Sequence, residues 1–222
     1  MRNRLVVLAL CALLTSCSGL SGSQGDDTSD PIEGSSDGEF VYNQDYIDQN
    51  LGDEYWITYS YQSKSNGVAA DPLFITTAEN EEGYYYKDNL GSETLYLLNG
   101  SAFDVYMPND NGDLEKVPDI QLSKEEAEGY STSFLSFMTI YEIAIGDLTA
   151  DGSETVAGRL CDKYVFHAVS LAASIDIRYS IDKVTGVCLR YETEAVSGSD
   201  TGAFQFVCTV FKTDNVDMPS HI

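Results

Sequence analysis

Positive charge and histidine are both scarce in this chain. Its 222 residues include 12 lysines and arginines against 36 aspartates and glutamates, with two histidines and a formal net charge of −24. So acidic a chain repels nucleic-acid phosphates, which argues against nucleic acid as a partner. Neither His167, in a predicted strand, nor His221 has a recognisable catalytic setting, and no pair of acids stands out as an acid–base dyad. The sequence therefore predicts no enzyme, with an envelope glycan hydrolase as a distant alternative.

Cysteine is also sparse, with five residues and no C-x-x-C pair or cysteine–histidine cluster. The sequence therefore predicts no metal site and no cofactor. If a hairpin turns near Gly198, Cys188 and Cys208 lie almost opposite each other, and a disulfide between them is possible. Three buried thiols without a bridge, with Cys161 as the third, are an equally open alternative.

Apolar runs are short, because a helix that spans a bilayer needs about 20 residues. The run Leu5–Leu14 follows arginines at positions 2 and 4, as in an export signal. The stretch Leu14-Thr15-Ser16-Cys17 resembles the bacterial lipobox. This resemblance implies cleavage after Ser16 and attachment of palmitate-type acyl chains at Cys17. The expected location is the cell envelope, at the outer membrane, with the lipid anchor holding the protein to the membrane; a secreted protein without an anchor is the alternative.

Composition divides the chain into three parts. Residues 1–16 form the predicted lipoprotein signal peptide. Residues 17–39 hold the lipidated cysteine and an acidic stretch of Ser, Gly, Asp and Glu with almost nothing apolar to bury, which is typical of a flexible linker. Residues 40–222 are long enough to bury a core of their own, so we expect a single antiparallel β domain there.

The domain has the pattern of a strand meander. Its 15 tyrosines and nine phenylalanines favour strands, and the dipeptides Asn66-Gly67 and Asn99-Gly100 favour tight hairpin turns. After a short helix at Asp45–Leu51, ended by Gly52, the predicted strands are Tyr55–Gln62, Leu73–Ala78, Gly83–Lys87, Thr94–Leu98, Ala102–Met107, Thr155–Ala168, Ser174–Asp182, Val187–Thr193 and Ala203–Lys212. Alternation from Ile175 to Ile181 predicts a strand with one solvent-facing side.

One segment has helical rather than strand periodicity. Ser123 and Glu126 have the spacing of a capping box, which marks a helix start. Beyond them, apolar side chains recur at helical spacing; they include Tyr130, Phe134, Phe137, Met138 and Tyr141. These residues either pack into the core, or they line a lipophilic cavity beneath a helix that lies across the mouth of a curved sheet.

The order of motifs resembles the LolA/LolB-like superfamily of outer-membrane lipoprotein carriers and receptors. The matching stretches are Gly83-Tyr-Tyr-Tyr-Lys87, Leu95-Tyr-Leu-Leu-Asn-Gly100, Val105-Tyr-Met-Pro108, Thr155-Val-Ala-Gly-Arg-Leu-Cys-Asp-Lys-Tyr164 and Ile181-Asp-Lys-Val-Thr-Gly186. The resemblance implies a mainly β (α+β) fold. It is a strongly curved antiparallel sheet, an unclosed half-barrel of about nine to eleven strands, with one or two helices covering its open side. It also implies a cavity for acyl chains, although no position matches a functional residue of the carriers.

Two functions follow as hypotheses. The first is a membrane-anchored, non-enzymatic envelope lipoprotein that binds a hydrophobic or acyl-chain ligand in the half-barrel cavity. The second is an interaction or accessory module of an envelope protein complex that has no ligand cavity and presents an apolar patch or strand edge to a protein partner.

Overall fold

The computed structural model describes residues 41–127, 148–169 and 173–222, which belong to one compact unit, Val41–Ile222. The predictions for Cys17 and for Tyr130, Phe134, Phe137, Met138 and Tyr141 lie outside the described residues. A short helix of about two turns, α1 (Gln44–Asn50), begins the unit. The Asn43 side chain caps its first turn by accepting a hydrogen bond from the Tyr46 N–H. Gly52, with φ +83°, follows its end, as the sequence predicted.

In the described ranges, twelve strands follow in one antiparallel sheet. They are β1 (Tyr55–Ser65), β2 (Val68–Ala69), β3 (Leu73–Asn80), β4 (Gly83–Asp88), β5 (Glu93–Asn99), β6 (Ala102–Pro108), β7 (Leu114–Leu122), β8 (Thr149–Val156), β9 (Arg159–Val169), β10 (Ala173–Asp182), β11 (Cys188–Ser197) and β12 (Asp200–Lys212). Their order is β7-β6-β5-β4-β3-β1-β12-β11-β10-β9-β8, and β2 pairs with β1 beside this path. In the described part of the chain, β7 and β8 do not pair with each other. The predicted fold class, a mainly β unclosed half-barrel, is confirmed, with eleven strands in the path and β2 as a twelfth.

Two strand predictions need correction. The predicted strand Thr155–Ala168 is wrong at its start, because the chain reverses at Ala157 and Gly158, whose φ values are +49° and +78°. Val156 therefore pairs with Arg159, and β8 and β9 form a hairpin. The sequence reading also missed β7, whose side chains are mostly exposed and whose alternation is interrupted at Pro118 and at Asp119, with φ +61°.

The half of the sheet made of β3–β7 has a buried cluster on each side. One cluster contains Tyr84, Tyr96, Phe103, Val105 and Ala127. The other contains Ala78, Tyr85, Leu95, Leu114 and Val216. Because neighbouring residues of a strand point to opposite sides, the pairs Tyr84/Tyr85 and Leu95/Tyr96 place the two clusters on opposite faces.

The cover on each face comes from a different segment. Ala127 ends the described part of a helical turn at 124–127, where the Glu126 carboxylate accepts hydrogen bonds from the N–H and hydroxyl of Ser123 at 2.9 and 2.8 Å. The predicted capping box is thus confirmed. On the opposite face, residues 213–222 cross the sheet. The Ile222 N–H donates to the Leu114 carbonyl at 2.9 Å, beside the outer edge of β7.

Cysteines 161, 188 and 208 are buried and remain thiols. Each Sγ–H donates to a backbone carbonyl of its own strand, from Cys161 to Arg159 O at 3.5 Å, from Cys188 to Arg190 O at 3.0 Å and from Cys208 to Val210 O at 3.1 Å. In this structure Cys188 and Cys208 are therefore not bridged, and all three cysteines are thiols. Burial raises the pKa of both Cys161 and Cys208 to about 12, so neither thiol is a ready nucleophile.

Candidate functional site

Strand register brings an aromatic row together across five neighbouring strands. Tyr61 of β1 lies opposite Phe206 of β12, which lies opposite Tyr191 of β11. Tyr191 in turn lies opposite Tyr179 of β10, and Tyr179 opposite Tyr164 of β9. Directly opposed residues point to the same side of a sheet. The five strands therefore present one row of rings on one side, which we call the aromatic face.

Ring contacts extend along this face. The ring centroids of Tyr61 and Phe206 are 4.7 Å apart, those of Tyr179 and Tyr191 5.2 Å, and those of Tyr191 and Phe204 5.6 Å. Phe204 meets Phe206 at 6.3 Å with the rings nearly perpendicular, at 86°. These separations fall within the range of favourable aromatic pairs. We call Tyr61, Tyr179, Tyr191, Phe204 and Phe206 the aromatic cluster.

The same face continues without charge into the next two rows of opposed residues. The second row is Ser63, Phe204, Thr193, Ile177 and Phe166. The third row is Ser65, Gly202, Ala195, Ile175 and Ala168. Together with the first, these rows place fifteen residues side by side, and none of them is an acid or a base. Because the chain as a whole is strongly acidic, the absence of charged residues sets this surface apart.

The reverse side of the same strands is strongly charged. Arg178 contacts Glu194 at 3.4 Å, and Arg190 contacts Glu154 at 3.2 Å. His167 contacts Asp176 on this side as well. We call this side the charged face. The strict alternation of strand side chains separates the two surfaces, so each of these strands is apolar on one side and ionic on the other.

Exposure on the aromatic face is partial. Thr193, Ile177, Tyr179 and Phe206 are buried, whereas Tyr61, Phe166, Tyr191 and Phe204 are half-buried. Burial raises the pKa of the Tyr179 phenol, with smaller contributions from Tyr191 and Cys188. Burial also raises the pKa of Tyr191, although a hydrogen bond with Thr193 opposes it. Both phenols are therefore neutral at physiological pH, and only the half-buried members Tyr61, Tyr191 and Phe204 leave part of their uncharged surface in contact with solvent.

One end of the aromatic face is filled. Tyr59, Ile181 and Leu189 are fully buried there, and the Tyr59 hydroxyl donates to the Cys188 carbonyl at 2.7 Å. Helix α1 packs against this end, where Tyr46 donates from its hydroxyl to the Lys183 carbonyl at 3.0 Å. We call this the closed end.

Glycine is required where α1 meets the sheet. Gly186 has φ +78°, and a Cβ added to it would lie 2.7 Å from Cδ1 of Tyr46. The backbone conformation and the close approach of the helix both exclude a larger residue.

A buried ion pair fixes the turn beneath α1. Asp182 is 1% exposed and accepts hydrogen bonds from Arg159 at 3.2 and 2.8 Å. The N–H and hydroxyl of Thr185 donate to the same carboxylate at 3.0 and 2.7 Å. Burial raises the pKa of Asp182, but the hydrogen bonds from Arg159 and then Thr185 outweigh it, so the pKa lies below its usual value. This network explains the sequence motif Ile181–Gly186 as structural support for the closed end.

The aromatic cluster was not among the sites predicted from the sequence. The predicted cavity lining was Tyr130, Phe134, Phe137, Met138 and Tyr141, which are outside the described residues. Local alternation around Tyr179 and Phe204 was visible in the sequence. The pairing that places Tyr61 beside Phe206 was not visible there, because it joins residues far apart in the chain.

Two other classes of site are not found in the described ranges 41–127, 148–169 and 173–222. No group of three or more His, Cys, Asp or Glu side chains there could hold a metal ion. Over those same residues, no helix combines the length and the apolar character needed to cross a membrane.

No protein-family model matches the chain, and no curated protein matches it. Among solved structures, MucB is similar with a TM-score of 0.36 and 15% identity, over 78% of this chain and 59% of the MucB chain. This chain thus spans less than two thirds of MucB. A LolA superfamily protein from Nitrosomonas europaea is similar with a TM-score of 0.24 and 10% identity, over 81% of this chain and 96% of that one.

A third similar structure is a domain of an outer membrane lipoprotein-sorting protein from Vibrio parahaemolyticus. Its TM-score is 0.25 at 9% identity, over 78% of this chain and 92% of that one. The description of the second structure names the LolA superfamily, which is part of the group that the sequence motifs resemble. At these TM-scores the likeness carries no argument about this chain. The half-barrel architecture instead follows from the strand order and pairing described above.

Proposed function

We propose that this protein is a lipid-anchored, non-enzymatic envelope protein that binds an acyl chain on its aromatic face. The observation that carries the proposal is the set of three uncharged rows across β1 and β9–β12, with Tyr61, Tyr191 and Phe204 left half-buried. Aromatic surface left in contact with water is unfavourable by roughly 25 cal/mol per Å². A ligand that covers this surface recovers that free energy.

The chemistry of the face selects the class of ligand. Its surface consists of aromatic rings and aliphatic side chains, with neutral hydroxyls from tyrosine, serine and threonine. An alkyl chain needs a dry surface of matching shape and no charged partner, whereas an anionic or cationic group would lose its hydration without gaining a counter-ion. The face therefore suits the acyl portion of a lipid or lipoprotein.

The described groups of the face support binding rather than catalysis. The pKa of Tyr179 and of Tyr191 is raised by burial, and neither phenol ionises near neutral pH. No acid or base occupies the three rows, so none of their side chains is suited to proton transfer at neutral pH.

The lipid anchor is the second part of the proposal. We infer that Cys17 is acylated after cleavage at Ser16 and that the acidic linker at 17–39 joins the anchor to the folded unit at the outer membrane. Labelling cells with alkyne-palmitate tests this directly. Label on the wild-type chain and none on Cys17→Ala supports the anchor, and equal labelling of both contradicts it.

The experiment that tests ligand binding is native mass spectrometry of the chain from residue 18 onward, because Val41–Ile222 forms a compact unit by itself. We expect a bound lipid, identified by solvent extraction and lipid analysis. Phe204→Asp should remove the lipid, since it places a charge on the aromatic face. Gln205→Asp is the matched control, because the adjacent Gln205 points to the charged face.

The result also separates the two hypotheses about function. A wild-type chain that carries no lipid, and takes up none from vesicles, would contradict acyl-chain binding and favour the accessory module. A lipid retained equally by wild type and Phe204→Asp would contradict the assignment to the aromatic face.

A further inference from the structure

We propose that Asn111, in the turn between β6 and β7, is a site of spontaneous deamidation, and that hydrogen bonds protect Asn66 and Asn99 from the same reaction. These are the three asparagines of the chain that a glycine follows, in the pairs Asn66-Gly67, Asn99-Gly100 and Asn111-Gly112. The modification does not depend on lipid binding, so it is tested separately from the proposed function.

Deamidation begins with an attack within the chain. The backbone nitrogen of the next residue loses its proton and bonds to the side-chain carbonyl carbon of asparagine, the bond from that carbon to the amide nitrogen breaks, and ammonia leaves. Water then opens the cyclic imide and gives aspartate or isoaspartate. A following glycine favours the attack because it has no side chain to obstruct ring closure. A hydrogen bond that holds the asparagine amide away from this nitrogen opposes the reaction.

Exposure alone does not separate the three sites. Asn66, Asn99 and Asn111 are all exposed, and the φ values of the glycines that follow them lie between +68° and +86°. Sequence and exposure therefore predict the same reaction at each site. The three sites differ in the hydrogen bonds of their side-chain amides.

The side chain of Asn66 is held through both of its polar atoms. Its Oδ1 accepts a hydrogen bond from the Thr201 N–H at 2.8 Å, and its Nδ2 donates to Asp200 at 3.5 Å. The backbone N–H of Asn66 also donates to the Thr201 carbonyl at 2.8 Å. These bonds join the β1–β2 turn to the start of β12. They have to break before the amide turns toward the nitrogen of Gly67.

The side chain of Asn99 is held by a buried carboxylate. Its Nδ2 donates to Asp104 at 2.9 Å, and Asp104 is 5% exposed. The same carboxylate accepts from Lys116 at 2.7 Å and from Gln121 at 2.8 Å. A hydrogen bond to an ionised carboxylate is stronger than one between neutral groups. Deamidation of Asn99 would also place a second carboxylate beside Asp104, which like-charge repulsion disfavours.

The side chain of Asn111 has no such restraint. Its backbone N–H donates to Oδ1 of Asn109 at 2.9 Å, but its amide makes no hydrogen bond with any residue that the structure describes. The Gly112 N–H donates to the Asn109 carbonyl at 2.9 Å. This one bond has to open before the nitrogen attacks. We therefore expect the fold to slow deamidation of Asn111, but less than it slows deamidation of Asn66 and Asn99.

The rate of deamidation at each asparagine, measured in the folded protein and in urea, tests this ranking. The chain from residue 18 onward is incubated at mildly alkaline pH, and tandem mass spectrometry follows the mass increase at each site. Fragment ions are needed because trypsin leaves Asn99 and Asn111 in one peptide, 88–116. The rate in urea divided by the rate in the folded protein gives a protection factor for each site. The factors of Asn66 and Asn99 should exceed that of Asn111 by about tenfold or more.

Two substitutions beside Asn99 test the physical cause. Asp104→Ala removes the acceptor of the Asn99 amide and should lower the protection factor of Asn99 toward that of Asn111. Lys116→Ala is the matched control, because it removes another donor to the same carboxylate and leaves the bond from Asn99 in place. Thermal unfolding of both variants checks that they fold. If Asp104→Ala does not fold, the ranking in the wild-type chain decides.

Each outcome supports or overturns the proposal. A protection factor of Asn111 equal to or above those of Asn66 and Asn99 would overturn it. An unchanged protection factor of Asn99 in folded Asp104→Ala would show that the hydrogen bond to Asp104 does not protect Asn99, and would also overturn it. The expected ranking, with faster deamidation of Asn99 in Asp104→Ala but not in Lys116→Ala, supports it.

Discussion

Apolar side chains are distributed differently over the two faces in the two halves of the sheet. On β3–β7 both faces are covered, one by the helical turn that contains Ala127 and the other by the segment that contains Val216. On β9–β12 one face is ionic, and the other is aromatic, with Tyr179 and Phe206 buried and Tyr191 and Phe204 half-buried. The first half thus has a buried apolar cluster on each face, whereas the second half is apolar on one face and ionic on the other.

The largest effect is expected from the buried ion pair at the closed end. Asp182→Ala leaves Arg159 without its carboxylate partner and Thr185 without its acceptor, and breaking a buried pair costs about 3–5 kcal/mol. Urea unfolding measures this change. Asp176→Ala, on the exposed charged face, is the control and should change the free energy of unfolding by less than about 1 kcal/mol. Equal effects of the two substitutions would refute the role assigned to Asp182.

A pair of truncations sharpens the comparison between the halves. Leu95 is fully buried in β5, so Leu95→Ala should lower the free energy of unfolding by about 2–5 kcal/mol. Phe204 is half-buried, so Phe204→Ala should cost only about 1 kcal/mol in stability but weaken palmitate binding about tenfold. Urea unfolding and a lipid-binding titration measure both properties in both variants. If Phe204→Ala is as destabilising as Leu95→Ala, the aromatic face is ordinary core.

Acid should weaken the half made of β3–β7 through Asp104. Hydrogen bonds from Gln121, Lys116 and Asn99 lower the pKa of Asp104 from 3.8 to about 2. The unfolded carboxyl therefore takes up its proton at a higher pH than the folded one. Its contribution to stability is present above about pH 4 and is lost as the pH falls toward 2. Urea unfolding measures the free energy of unfolding at pH 5 and at pH 2.5. This free energy should change less between the two pH values for Asp104→Asn than for the wild type, and an equal change in both proteins would contradict the prediction.

The smallest effect is expected on the charged face. Arg178 pairs with Glu194 at 3.4 Å, and both side chains are substantially exposed. Arg178→Ala should therefore change the free energy of unfolding by at most about 1 kcal/mol. Palmitate binding should be unaffected, because this side chain points away from the aromatic face. A loss of lipid binding in Arg178→Ala would show that the two faces do not act independently.

Much of the fold was accessible from local sequence signals. Turn residues such as Asn66-Gly67 and Asn99-Gly100 marked hairpins because glycine and asparagine tolerate positive φ. Alternation predicted the strands, and the Ser123–Glu126 spacing predicted the helix cap. The β8–β9 hairpin was missed because Ala157 gives no sign of its φ of +49°. Strand β7 was missed because its side chains are mostly exposed and show no alternation.

The sequence by itself determined the mainly β class, the acidic surface and the alternating polarity of each strand, since these depend on composition and on neighbouring residues. Only the tertiary structure decided which strands lie side by side. Tyr61 meets Phe206 through the pairing of β1 with β12, two strands at opposite ends of the folded chain. The aromatic face, its charged reverse side and its closed end follow from that non-local register, which no local pattern encodes.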